Sequence, residues 1–123
     1  METNALASST VMVVDDEPDM RYMLRVALEG AGYGVVEAAH GEAALELARR
    51  SPPEIVLTDR MMPRMNGDEL IERLRDNEAT KAIPIVIISG TRGVQGAADA
   101  VLGKPVDVDE LLMLIHRLTG REI

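Results

Sequence analysis

The chain has 123 residues, 46% of them hydrophobic, and its 13 basic and 21 acidic side chains leave a net charge of −8. That length builds one domain with a real core, and with no Phe or Trp the core must be aliphatic. The lack of cysteine excludes disulfides, thiolate chemistry and Cys-ligated zinc, while the lack of a basic run or a long apolar stretch argues against direct nucleic-acid contact and membrane spans.

Residues 1–9 (METNALASS) are small and polar, with neither the basic nor the apolar region of a leader. A frayed tail is expected there, followed by one domain over residues 10–121 of a cytoplasmic protein. Val11-Met12-Val13-Val14 is a continuous apolar run that ends in Asp15-Asp16-Glu17-Pro18. Met20, Met23, Leu24, Ala27 and Leu28 then recur at i, i+3, i+4 spacing, predicting a helix with Pro18 in its first turn and Gly30 and Gly32 at its exit. Val35-Val36 is a shorter strand, expected at a sheet edge, and Ala44, Leu47 and Ala48 predict a second helix closed by Ser51-Pro52-Pro53.

The run Ile55-Val56-Leu57-Thr58 ends in Asp59, and Leu70, Ile71 and Leu74 mark a third helix that begins through Asn66-Gly67. Ile85-Val86-Ile87-Ile88 ends in Ser89, and Ala100-Val101-Leu102-Gly103 ends in Lys104-Pro105. The last helix is capped by Asp107, with Glu110 three positions on, and has the core stripe Val108, Leu111, Leu112, Ile115 and Leu118 before Gly120. Met113 and Leu114 lie beside that stripe, either widening a buried face covered by residues 90–98 or forming a partner surface. His40 and His116 read as ordinary surface residues, and Met61, Met62 and Met65 as core and loop packing.

Short β-branched runs alternating with helical patterns are the signature of βαβ units and a parallel sheet. Continuously apolar runs suit strands covered on both faces. Asp15-Asp16, Asp59, Ser89 and Lys104 each stand where a run ends, which places them at the carboxyl edge of the sheet, where open α/β sheets bind ligands. Alone, each has an ordinary reading: an acidic helix start, a strand-end hydroxyl, a surface lysine. Together they describe a site for a hard cation and a phosphoryl group. Crowded carboxylates repel one another unless a cation sits among them, and oxygen-only ligands suit Mg²⁺, or Mn²⁺ in its place. Asp16 and Asp59 are expected on the metal directly, Asp15 through water, and the backbone carbonyl of Met61 completes the set. Asp59 is the candidate nucleophile for aspartyl-phosphate chemistry. Lys104 and the Ser89 hydroxyl then neutralise and hold the remaining phosphoryl oxygens.

At these residues the chain resembles a receiver domain of a two-component response regulator. The resemblance covers Val11 to Gly120 and rests on VVDDEP at 13–18, LTDRMMPRMNG at 57–67, IPIVIISG at 83–90 and GKPV at 103–106. It implies Asp59 as phosphoacceptor, Asp15 and Asp16 as the acidic pair, Ser89 as the switch hydroxyl and Lys104 as the phosphate-contacting lysine. It also implies a flavodoxin-like α/β fold with five parallel strands in the order 2-1-3-4-5 and helices on both faces, an order for which receivers serve as a standard example. The implied donor is a histidine kinase or phosphotransfer protein, with small acyl phosphates as substitutes. The implied product is a phosphorylated signalling module rather than a turnover enzyme, a monomer or weak homodimer with a downstream protein partner.

Three departures bear on output. The segment from Ser89 to Lys104 is short by roughly two helical turns, and its residues 90–96 hold three glycines, at 90, 93 and 96. The family's fourth helix is therefore expected to be absent or reduced to a single turn. Val101 replaces the aromatic residue that usually stands three before the lysine, so switching would have to use residues 90–98. Met61 offers no group to orient a hydrolytic water, which predicts a long-lived phosphoryl group. The competing readings are a pseudo-receiver that binds partners without phosphate and a receiver fragment of a larger regulator or hybrid kinase. A dehalogenase-like phosphatase would need an Asp at Met61, and a flavin module a Gly/Ser/Thr-rich loop after the first strand.

Overall fold

The computed structural model describes residues 10–90 and 96–120. Strands β1 (Thr10–Val14), β2 (Gly34–Ala38), β3 (Ile55–Asp59), β4 (Ile85–Ser89) and β5 (Ala100–Gly103) form one parallel sheet in the order β2-β1-β3-β4-β5. The helices are α1 (Pro18–Gly30), α2 (Gly41–Arg50), α3 (Gly67–Arg75) and α4 (Val108–Thr119). No helix among the described residues is long and apolar enough to cross a membrane.

Strand alternation builds two half-cores from the apolar runs. Met12, Val14, Val56, Ile85 and Ile87 face one side, where they meet Ala44, Leu45, Leu70, Ile71 and Leu74 of α2 and α3. Val11, Val13, Ile55, Leu57, Val86 and Ile88 face the other, against Leu24 and Leu28 of α1 and Leu111 and Ile115 of α4. Both faces of the sheet are covered, which is why its three central strands read as unbroken apolar runs. The register sets Val14 beside Thr58, Asp59 beside Ile88, and Ser89 beside Gly103. The carboxyl ends are therefore level, and whatever follows each strand meets its neighbours.

Helix boundaries follow the expected chemistry, with corrections. Asn66 Oδ1 accepts from Glu69 N–H at 2.9 Å and Asp107 Oδ1 from Glu110 N–H at 3.1 Å. His40 is no ordinary surface residue: its Nδ1 accepts from Ala43 N–H at 3.2 Å and caps α2. His116 packs its ring on buried Tyr33, the centroids 5.9 Å apart, so it too is part of the packing. The flank of α4 divides, Leu114 joining the core while Met113 stands 70% exposed. No described residue between Ser89 and Ala100 is helical, consistent with a reduced fourth helix, and residues 91–95 of that segment lie outside the described residues.

One guanidinium ties the short crossover down. Arg75, the last residue of α3, donates through Nη1 to the carbonyls of Lys81 (2.9 Å) and Ile83 (2.6 Å), and through Nη2 to Ala97 O (3.2 Å) and Asp99 Oδ2 (2.8 Å). Asp99 Oδ2 also accepts from Ile85 N–H at 2.7 Å. The starts of β4 and β5 are thus fastened to one helix end. Arg75→Ala strands several acceptors and is expected to cost about 2–4 kcal/mol in urea unfolding. Arg75→Lys should restore less than half of that, because an ammonium does not span the fork. A loss below about 1 kcal/mol for Arg75→Ala would contradict this account.

Candidate functional site at the carboxyl edge

Asp15 and Asp16 leave the end of β1 and Asp59 is the last residue of β3. One carboxylate oxygen from each lies within 4.8 Å of the others. Asp15 and Asp59 are buried, 3% and 8% exposed, while Asp16 reaches solvent. Burial pushes the Asp15 carboxyl above its ordinary range; the hydrogen bond from Glu17 N–H (2.9 Å) opposes this, and repulsion from Asp59 adds to it. Such a pocket, all oxygen donors and short of positive charge, fits a hard divalent cation.

Lys104 is the internal cation. Its Nζ donates to Asp59 Oδ1 at 3.2 Å, and its backbone N–H donates to Ser89 O at 3.0 Å. The Lys104–Pro105 peptide is cis. Ser89 is buried at the end of β4. Met61 follows Asp59 by two positions and its side chain is 74% exposed, whereas Met62 and Met65 are buried as packing residues. The five side chains singled out in the sequence therefore lie at one edge of the sheet, three of them in one carboxylate cluster and a fourth bonded to it.

Three supporting residues were missed. Gly67 N–H donates to Arg60 O at 2.8 Å, and a Cβ there would stand 2.5 Å from Asp59 O. The one signal was a glycine placed just after the cap Asn66, where a better helix former would ordinarily serve. Arg21 donates through Nη1 to Asp15 O (2.6 Å) and through Nε to Glu37 Oε1 (3.1 Å), bracing the end of β1. Glu37 is held below the usual carboxylate range chiefly by its hydrogen bond from Arg25, against a smaller effect of burial, with Arg21 lowering it further. Arg60, next to Asp59, donates through Nη1 to both oxygens of Asp68 at 3.0 and 2.9 Å. These contacts join residues six to sixteen positions apart across the turns between elements, and local periodicity carries no trace of them.

The level carboxyl ends, the acidic cluster and the bonded lysine define a receiver-type site on a doubly wound sheet. A sequence model of the family described as "Response regulator receiver domain" matches residues 11–116, and the chain belongs to that family. It is 37% identical over 116 residues to Protein PilH of Pseudomonas aeruginosa, covering 86% of this chain and 93% of that one. Among solved structures, the chemotaxis protein CheY4 of Vibrio cholerae superposes with a TM-score of 0.84 at 29% identity, covering 89% of this chain and 98% of that one. The receiver domain of sensor histidine kinase PA1611 from Pseudomonas aeruginosa, solved with magnesium in its active-site cleft, shares the fold at a TM-score of 0.86 and 24% identity, covering 93% and 99%. The chain spans about half the length of several other curated relatives (49%, 55% and 52%). Receiver domains are signalling modules of two-component systems, and this chain carries their acidic pocket.

Proposed function

We propose that Asp59 is the phosphoacceptor of this receiver. A carboxylate oxygen of Asp59 attacks the phosphorus of a phosphohistidine or small acyl phosphate in line. The bond from phosphorus to the donor breaks, and its electron pair leaves with the donor. The observation that carries this reading is the Lys104 Nζ contact to Asp59 Oδ1, which sets a positive charge where the incoming phosphoryl oxygens gather. Asp15, Asp16, Asp59 and the backbone carbonyl of Met61 would hold Mg²⁺, which when bound would neutralise phosphoryl charge. Lys104 neutralises a second oxygen, and the Ser89 hydroxyl at the end of β4 donates to the third. The donor protein is a histidine kinase or phosphotransfer protein, and the output is a changed protein-binding surface. Domain bounds of 10–121, self-catalysed loss of the phosphoryl group, a long lifetime set by Met61, and a monomeric or weakly dimeric state belong to the same reading.

Acetyl phosphate with Mg²⁺ should raise the intact mass by about 80 Da, one phosphoryl group. Borohydride reduction, which converts an acyl phosphate to an alcohol, should then mark Asp59 in a peptide digest. A mass gain mapped to any other residue overturns the assignment.

Mg²⁺ alone should stabilise the fold by about 2.7 kcal/mol at a hundred times its dissociation constant. The gain should shrink as pH falls. The folded state holds the Asp15 proton more tightly than the unfolded chain does, so below its raised pKa the neutral carboxyl no longer favours the ion. Thermal melts with and without Mg²⁺ across pH check both statements. A gain that stayed constant down to pH values near the ordinary 3.8 would contradict them.

A further inference from the structure

Asp15 is held on three sides. Its N–H donates to Ala38 O at 3.1 Å, its Oδ1 accepts from Glu17 N–H at 2.9 Å, and its carbonyl oxygen accepts from Arg21 Nη1 at 2.6 Å. The carbonyl stands before Glu17, the cap of α1, so the helix ladder offers it no donor; the first helical bond runs from Arg21 N–H to Glu17 O. A side chain does that work instead. The bond sets more than one oxygen, because the carbonyl of Asp15 and the N–H of Asp16 belong to one planar peptide. Holding the oxygen fixes the plane from which the Asp16 side chain departs. Asp16 reaches solvent, so packing does less to place its carboxylate than it does for buried Asp15 and Asp59.

Arg21 is itself anchored. Its Nε donates to Glu37 Oε1 on β2 at 3.1 Å, and Glu37 Oε2 accepts from Arg25 Nη1 at 2.9 Å. Arg25 in turn reaches Glu29 Oε2 through its Nε at 3.2 Å. The inner end of this chain is the shielded one, with the Arg21 side chain 18% exposed against 50% for Arg25. A rigid guanidinium fork meets two divergent acceptors at once, which a single ammonium nitrogen does not. The same guanidinium sets a positive charge against the backbone of the acidic pocket. By charge alone it would oppose a divalent cation.

We propose that Arg21 is a positioning residue of the acidic pocket, holding the Asp15–Asp16 peptide so that both carboxylates meet Asp59 around a divalent cation. This role rests on the Mg²⁺ reading of the pocket and deepens it. Mg²⁺ demands near-ideal octahedral geometry, so ligand placement governs its affinity. Charge and position therefore pull in opposite directions. If charge decided, removing the guanidinium would tighten Mg²⁺ binding. If position decides, removal loosens it, since outer partners of metal ligands are worth about 10–100-fold in affinity.

The test is calorimetric titration of the folded, metal-free protein with Mg²⁺, at a temperature where each variant is folded by circular dichroism. Arg21→Met is expected to raise Kd tenfold or more. Arg21→Lys keeps the charge but not the fork, and should raise it at least about threefold. Arg25→Met takes a guanidinium from the same chain of contacts without touching Asp15, and should stay within about twofold of the wild type. A role in stability alone would lower the melting temperature and leave the Kd of the folded protein where it was. Binding by Arg21→Met as tight as the wild type's, or tighter, overturns the proposal. Full rescue by lysine overturns it too, as does an equal loss in Arg25→Met. If Arg21→Met does not fold, Arg21→Lys decides alone. A wild type that binds no Mg²⁺ overturns the metal reading and this inference with it, whereas failure of the Asp59 assignment leaves the titration unaffected.

Discussion

Lys104→Met is expected to slow phosphoryl uptake from acetyl phosphate a hundredfold or more while leaving the fold intact. The Lys104 ammonium stands 3.2 Å from Asp59 Oδ1, in a pocket where Asp15 and Asp59 are buried. A preorganised donor aimed at developing charge in such a site is worth about 10²–10³ in rate. Methionine keeps most of the stem and its packing, so the loss should fall on the rate and not on stability. The variant also separates two roles. With its internal cation gone the carboxylate cluster is more negative, so Mg²⁺ should bind at least as tightly as in the wild type, even as transfer slows. Intact-mass time courses give the rate, and the Mg²⁺ dependence of the melting temperature gives the affinity. Uptake within about threefold of the wild type would remove Lys104 from the reacting group, since one lost donor is worth far more.

The acidic pocket was legible because of how a parallel sheet is built. In βαβ connections every strand runs the same way, so a polar residue ending an apolar run always falls on the same edge. That rule alone brings Asp15, Asp16, Asp59, Ser89 and Lys104 together. The cap at Asp107 was legible for the same local reason, a side chain reaching a backbone N–H three residues on. What stayed hidden depends on partners far along the chain. Arg75 looks like any helix-ending arginine until the carbonyls of Ile83 and Ala97 come within reach. His116 looks exposed until Tyr33 packs against it. Leu114 and Met113 are neighbours of similar hydropathy, and only the placement of α4 on the sheet decides that one is core and the other open.

Gly67→Ala makes the same distinction within the site. By helix propensity the change should help, since alanine is favoured over glycine in a helix by up to about 1 kcal/mol. Gly67 also needs no left-handed backbone, for among the described residues the glycines with positive φ are Gly32, Gly96 and Gly120. The obstacle is space. A Cβ at Gly67 would lie 2.5 Å from Asp59 O and 3.0 Å from Arg60 Cα, and both are backbone atoms. Something must shift, and what shifts is the segment that carries Asp59. We expect a stability loss of about 3 kcal/mol, at the upper end for overpacking. Phosphoryl uptake should fall at least tenfold, because displacing a reacting group by about 1 Å can cost a hundredfold. Gly41→Ala is the matched control. Its Cβ would meet only side-chain atoms of buried Met65, Sδ at 2.5 Å, Cγ at 2.9 Å and Cβ at 3.0 Å, so Met65 must repack while the backbone of Asp59 and Arg60 is not pressed. It should cost about 1–3 kcal/mol as overpacking does, yet leave uptake within about threefold of the wild type. If Gly67→Ala proved neutral or stabilising in urea unfolding, propensity would have won. The close approach of α3 to the carbonyl of Asp59 would then not be what holds the carboxylate in place.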